Sequence, residues 1–306
     1  MKVVFMGTPD FAVPTLQRLL DDHHQVLAVY TQPDKPVGRG YQLREPPVKV
    51  LAKAHDIPVY QPKTLRDGQA AEEIAALVPD AVVVVAYGKI LPKGILDIPK
   101  YGCINLHASL LPKYRGAGPI QWSVIRGEQV TGVTSMYMGE GLDTGDMILR
   151  QETPIGPEET ADELHDRLSV MGAQCISETL SLLEAGRAKR HPQNDGEATL
   201  APMIDKHLGE LDWKKSAGEL HNLVRGLSGW PVAYTYLDGK LLKIHRAAVC
   251  ELPSPGPGVV LEGERFLVGC GDGVLELREV QLEGKQRMEA SLFLRGRRCA
   301  GKILGK

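Results

Sequence analysis

The chain has 306 residues, 43% of them hydrophobic and 24% charged, with a formal net charge of −2. That is the make-up of a soluble globular protein with room for two cores, and no apolar run approaches the length needed to span a bilayer. The five cysteines (Cys103, Cys175, Cys250, Cys270, Cys299) are scattered and never form a C-x-x-C pair, so neither a disulfide framework nor a zinc site is indicated.

Met1 to Gly7 carries one charge and too short an apolar stretch for a signal peptide. It reads as a first β-strand, and a cytoplasmic protein is expected. Short β-rich runs at Lys2 to Met6, Val26 to Tyr30 and Ala81 to Ala86 alternate with helical stretches at Ala12 to Leu20, Pro47 to Ala54 and Ala70 to Leu77. This order predicts right-handed parallel crossovers and an α/β, doubly wound, mainly parallel sheet of Rossmann-like type, with its ligand crevice beyond the carboxyl ends of the strands. Gly7-Thr8-Pro9 follows the first strand, but G-x-G-x-x-G spacing is absent, as is a P-loop. Gly7 therefore reads as the residue of a tight turn, and dinucleotide or ATP binding is disfavoured.

Tyr30 to Lys49 is a long connection where such a unit needs only a few residues. It contains Lys35, Arg39, Arg44 and Lys49, with glycines on both sides of Arg39. Long loops of this kind are functional or disordered, and cations on a glycine-flanked loop suit a phosphate backbone; a plain surface insertion is the alternative. Tyr101 to His107 reads as a further strand that sets Asn105 and His107 on one face at its carboxyl end. A helix over Pro119 to Arg126, a strand over Val130 to Met138 and a helix over Thr160 to Leu183 follow.

From Gly186 to Gly209 the pattern weakens into a polar connection. Beyond a helix at Ser216 to Leu227 the pattern is all-β: Val232 to Leu237, Leu241 to Val249, Gly258 to Leu261, Phe266 to Gly269 and Val274 to Leu282. Such strands predict a small barrel of OB-like type. The expected division is 1–188, a linker at 189–208, and 209–306. Charge is uneven across it: residues 207 to 306 hold 15 Lys+Arg against 12 Asp+Glu, and between Lys285 and Lys306 seven cations, Arg297 and Arg298 among them, face only Glu289. A polyanionic partner and a solvated surface fit that tail about equally.

The residues that carry chemistry are Asn105-Leu106-His107-Ala108-Ser109-Leu110-Leu111-Pro112 and Gly141-Leu142-Asp143-Thr144-Gly145. An amide, an imidazole and a carboxylate, with no metal-ligand cluster beside them, suit proton transfer and oxyanion stabilisation during attack on a carbonyl, so acyl-group transfer is the first hypothesis. Singly, such residues are more often caps, turns or satisfied core polars.

In their order along the chain these motifs resemble the methionyl-tRNA formyltransferases of the formyltransferase family. The likeness runs through Met6-Gly7-Thr8-Pro9-Asp10-Phe11-Ala12, Gly38-Arg39-Gly40, Ala86-Tyr87-Gly88-Lys89-Ile90-Leu91-Pro92, the Asn105 to Pro112 and Gly139 to Gly145 motifs, Arg115 to Ile120, Leu220 to Gly226 and Trp230-Pro231. It therefore spans the chain nearly end to end. The Asn-x-His and Gly-Leu-Asp-Thr-Gly pair is shared by the wider family and identifies the chemistry better than the acceptor. The basic insertion and the second domain are what suggest tRNA.

The resemblance implies formyl transfer from 10-formyltetrahydrofolate to the amino group of methionyl initiator tRNA by a monomer without a metal. It places Asn105, His107 and Asp143 at the reacting group, with Asp143 either orienting His107 or accepting the amine proton through water. Folate is expected along Gly88, Ile90, Leu91, Ser109, Leu110, Leu111 and Pro112, with Ile90, Leu91 and Leu111 as apolar walls. Lys35, Arg39, Arg44, Lys49, Arg297 and Arg298 are the expected tRNA contacts. Glycinamide-ribonucleotide or sugar-nucleotide formyl transfer, formyltetrahydrofolate hydrolysis and a non-enzymatic RNA-binding role remain as alternatives, which activity with each acceptor separates.

Overall fold

In chain order the first half carries β1 (Lys2–Gly7), α1 (Val13–Asp21), β2 (Gln25–Tyr30), β3 (Lys35–Val37), β4 (Gln42–Arg44), α2 (Pro47–Ala54), β5 (Val59–Tyr60), α3 (Gln69–Leu77), β6 (Ala81–Val85), α4 (Lys93–Leu96), β7 (Cys103–His107) and β8 (Arg115–Gly116). There follow α5 (Pro119–Ile125), β9 (Val130–Tyr137), β10 (Met147–Pro154), α6 (Ala161–Glu184), β11 (Leu200–Ala201) and α7 (Ala217–Gly226). The last elements are β12 (Ala233–Leu237), β13 (Lys240–Cys250), β14 (Phe266–Gly269), β15 (Val274–Leu282), β16 (Met288–Glu289) and α8 (Ala290–Arg295). The structure is a computed structural model that describes residues 1–37 and 42–305.

Two units divide the chain. One takes Met1–Gly116, Thr131–Thr153 and His165–Leu200; the other takes Ala117–Val130, Pro154–Leu164 and Ala201–Lys306. Neither is a single run of sequence.

In the first unit seven strands lie in the order β10-β9-β7-β6-β1-β2-β5. From β5 to β7 all neighbours are parallel, while β9 runs antiparallel to β7. The chain steps outward from β1 through β2 to β5, then crosses back to β6 on the other side of β1, so strand order reverses between β1 and β6 as expected of a doubly wound sheet. β6 is Ala-Val-Val-Val-Val with every residue buried, as a strand covered on both faces requires. α1 has a proline in its first turn and turns Leu16 and Leu19, both fully buried, to the core. Gly7 ends β1 where a Cβ would stand 2.9 Å from Ala12 Cβ and 3.0 Å from Val85 O. The close approach, more than any ligand, demands glycine there.

The connection after β2 differs from the expected loop, since β3 and β4 pair antiparallel, Lys35 opposite Arg44 and Pro36 opposite Leu43. Proline and glycine punctuation masks a ribbon this short. Arg39, with Gly38, Gly40 and Tyr41, lies outside the described residues.

The second unit is built on antiparallel strands in the order β12-β13-β15-β14, with β16 beside β15. Backbone bonds then close the ring expected of a small barrel. Val260 bridges Val268 of β14, Val259 bridges Ile303, and Gly305 N donates to Tyr236 O of β12 at 2.9 Å. Inside lie Leu242, Ile244, Phe266, Val268, Leu275 and Leu277, with Phe293 of α8 stacked on Phe266. α7 opens on a capping box in which Ser216 and Glu219 exchange hydrogen bonds, and it buries Leu220, Leu223 and Val224 against this core.

Candidate active site

β7 positions the first two groups. Val84 of β6 lies beside Asn105 on one side and Met136 of β9 on the other, and the alternation of the strand puts Cys103, Asn105 and His107 on one face. Asn105 is half-buried, and among the described residues its amide makes no hydrogen bond. Burial pushes the Cys103 thiol up to about 12, so it stays protonated and offers no nucleophile beside the amide.

His107 is buried. Its Nε2 lies 2.8 Å from Tyr114 O, a group that can only accept, so Nε2 carries the hydrogen. The opposite edge, Nδ1, faces Asp143 Oδ2 at 3.6 Å, which is ion-pair range but longer than a hydrogen bond. Asp143 sits in the loop between β9 and β10 in a left-handed conformation (φ 52°), and its Oδ2 accepts from Gly116 N at 2.9 Å. The expected amide, imidazole and carboxylate thus come to one place at the carboxyl end of β7.

The turn after β7 is braced from the neighbouring strand. Thr134, register partner of His107, donates its hydroxyl to Ser109 O (2.7 Å) and accepts from Leu111 N (3.2 Å), while Arg150 donates to Leu111 O (3.2 Å). Four of the residues expected along the folate are buried. Ser109 and Leu111 have no exposed surface, Leu91 is 2% exposed within the core cluster, and Pro112 is buried. The Ser109 hydroxyl donates to Lys113 O at 2.6 Å. Gly88 (φ 81°) and Ile90, 70% exposed, remain reachable, and Leu110 is half-buried. In the same segment Lys89 donates to the carbonyls of Pro62 and Lys63, and burial holds its ammonium below the usual lysine value.

Of the expected tRNA contacts, Lys35 and Arg44 are exposed and face each other across the β3–β4 ribbon. Lys49, also expected at the tRNA, is half-buried. Its ammonium bonds Asp34 (2.8 Å) and Gln61 (3.0 Å), and the Asp34 hydrogen bond draws it above the usual lysine value. It anchors the base of the insertion. In the second unit Arg297 and Arg298 are exposed beyond α8, with the Arg297 guanidinium 5.5 Å from the Phe293 ring. Elsewhere in the basic tail, Arg287 and Lys302 are engaged by Glu279 and Asp238.

One contribution has no local sequence signal. Gln193, in the polar connection after α6, donates through Nε2 to Asp143 O and Gly145 O, both at 2.8 Å, and accepts through Oε1 from Arg115 Nε (3.0 Å) and Nη2 (2.8 Å). Thr199, further along, bonds Tyr114 N through its hydroxyl at 2.9 Å. Both partners lie some fifty or more residues away, where only a folded chain brings them together.

Two family models match the chain: formyl transferase over residues 1–180 and the formyl transferase C-terminal domain over residues 203–298. A methionyl-tRNA formyltransferase from Geotalea uraniireducens is 53% identical over 308 residues, covering 100% of this chain and 98% of the relative. Another from Alkaliphilus oremlandii is 51% identical, with both chains fully covered. Among solved structures, an N-formyltransferase from Helicobacter canadensis in complex with folinic acid and dTDP-3-aminofucose superposes with a TM-score of 0.70 at 21% identity, over 94% of this chain and 100% of that one. HypX from Aquifex aeolicus in complex with tetrahydrofolic acid gives 0.63 at 18%, over 96% of this chain and 47% of that one.

Proposed function

This chain belongs to the formyl transferase family, and we propose that it moves the formyl group of 10-formyltetrahydrofolate to the amino group of methionyl initiator tRNA. The observation that carries the assignment of residues is the Asn105 amide, which makes no hydrogen bond among the described residues at the carboxyl end of β7, while His107 and Asp143 beside it are held in place. A polar group so placed fits a folate whose formyl oxygen needs a donor, with Gly88, Ile90 and Leu110 nearest in sequence as the accessible contacts.

The folate supplies the one-carbon group in activated form. Asn105 donates an amide N–H to the formyl oxygen as negative charge develops there, an interaction stronger in the transition state than in the ground state. His107, locked by Tyr114 O with its hydrogen on Nε2, takes the proton of the attacking amine at Nδ1 and can return it to the departing nitrogen. Asp143 faces that edge and favours the charge the ring acquires. Because Gly116 N already holds Oδ2, orienting His107 is the role we assign to Asp143, ahead of direct proton transfer.

For the acceptor, the β3–β4 ribbon supports a polyanion. Like charges directly opposite in an antiparallel pair repel, and Lys35 opposite Arg44 is tolerated where a phosphate backbone sits between them. Arg39 in the same insertion is proposed as the residue reaching the acceptor end, with Arg297 and Arg298 adding backbone contacts from residues 209–306. Residues 1–188 would carry the transfer, joined through 189–208. We place the activity in the cytoplasm, in a monomer. No helix among the described residues is long and apolar enough to cross a membrane.

The test is incubation with 10-formyltetrahydrofolate and methionyl initiator tRNA, against the same tRNA with its amine blocked. Formylmethionyl-tRNA only from the free amine is the expected result. No product from either, with a nucleotide-linked amino sugar formylated instead, would move the chain to another branch of the family.

A further inference from the structure

We propose that Gln193 is a positioning residue for formyl transfer: it holds the loop that aims Asp143 at His107, and Arg115 fixes the direction in which its amide points. The proposal rests on the reading of Asp143 given above. Asp143 stands at φ 52°, in the left-handed region that aspartate, unlike most non-glycine residues, enters when hydrogen bonds hold it there. Two residues on, a Cβ at Gly145 would lie 1.7 Å from Tyr137 O, so the loop is pressed onto the end of β9.

The side-chain amide of Gln193 has two N–H groups, and both are used, one on Asp143 O and one on Gly145 O. An amide can be turned over without changing its shape, so something must set its sense. Arg115 does so: it is buried, it has only donors, and it offers two of them to Oε1, which sends the NH2 toward the loop. Its Nη2 also bonds Asp195 Oδ1 at 2.8 Å.

The next residue, Gly116, donates its N–H to Asp143 Oδ2. Asp143 is therefore gripped at its carbonyl by Gln193 and at its carboxylate by the backbone that also carries Arg115. Gln193 is itself held in register. His191 and Met147 exchange two backbone bonds of 2.9 Å, and the Arg190 guanidinium lies 3.7 Å from the Tyr137 ring centre and 3.2 Å from Asp146.

Gln193→Glu separates positioning from plain support of the fold. It keeps the size and the acceptor for Arg115 but turns the two donors into an oxygen facing two carbonyls. The expected result is a fall in kcat of about 10²-fold, the usual consequence of displacing an aligned group by an ångström, with KM for methionyl-tRNA and for formylfolate little changed. Placed on Asp143→Ala, the same substitution should cause no further loss, because its effect runs through Asp143. Gln193→Met, which removes donors and acceptor without adding charge, should behave alike and serves if the glutamate variant fails to fold.

Full kcat in both variants, additive losses with Asp143→Ala, or failure of both to fold would each overturn the proposal. If Asp143→Ala alone retained full transfer, the reading of the site would fall first. If that variant were disabled while Gln193→Glu remained at full rate, only the positioning role would be lost.

Discussion

Replacing Asn105 by alanine separates transition-state stabilisation from folding more sharply than any other change in this site. The amide makes no hydrogen bond among the described residues and is half-buried, so truncation leaves no protein group unpaired. The stability cost should be about 1 kcal/mol or less. Removal of one oxyanion donor costs about 10² to 10³ in kcat, or about 2.7–4 kcal/mol of barrier. His107→Ala offers the contrast, since it removes a buried hydrogen bond to Tyr114 O, worth about 0.5–1.5 kcal/mol, together with the chemistry. Single-turnover transfer of labelled formyl to methionyl-tRNA, beside a thermal melt, measures both quantities. An Asn105→Ala enzyme with unchanged kcat, or one impaired only in KM for the folate, would refute the oxyanion role.

The proposed joint action of His107 and Asp143 predicts a double alanine variant little slower than the worse single one, and rates that multiply would show two independent roles. Replacing Lys35 and Arg44 together should lower the slope of log K against log salt for tRNA binding by about two units, about one per phosphate contact, and leave the ribbon no less stable because two opposed cations are removed. Replacing Arg297 and Arg298 should weaken initiator and elongator tRNAs alike, and an unchanged salt slope in either pair would return those cations to an ordinary solvated surface. Burial holds the imidazoles of His221 and His245 below the ordinary histidine value. The unfolded chain then binds the extra protons, so their contribution to stability is present above about pH 6.5 and is lost as pH falls from there through the lower folded values. Urea midpoints across that range should drop with pH, and the drop should flatten when His221 and His245 become glutamine.

The sequence was most legible where the signal is local. Pro47–Ala54 begins on a proline and ends where its apolar spacing ends, and Phe266–Gly269 and Val274–Leu282 are bounded by turn residues; all three have the limits expected from pattern. The strand bearing Asn105 starts at Cys103 and not Tyr101, because Gly102 at φ 82° breaks the extended run. Residue type was legible in the site, direction was not. Leu91, Ser109 and Leu111 belong to motif segments expected along the folate, and the brace from Thr134 and the packing under β6 bury them. Gln193 was hidden for a related reason, since its polar surroundings look like any connector until Arg115 and the Asp143 loop are folded against it. The six residues of α8, in a tail read for its charge, escaped notice as well.

The most direct measurement is a competition in one vessel: labelled 10-formyltetrahydrofolate with methionyl initiator tRNA, glycinamide ribonucleotide and water as rival acceptors. The account predicts label on the methionyl amine, with little on the small nucleotide and little free formate, and loss of that transfer in Asn105→Ala. Label chiefly on glycinamide ribonucleotide or in formate, or undiminished transfer by the alanine variant, would contradict it.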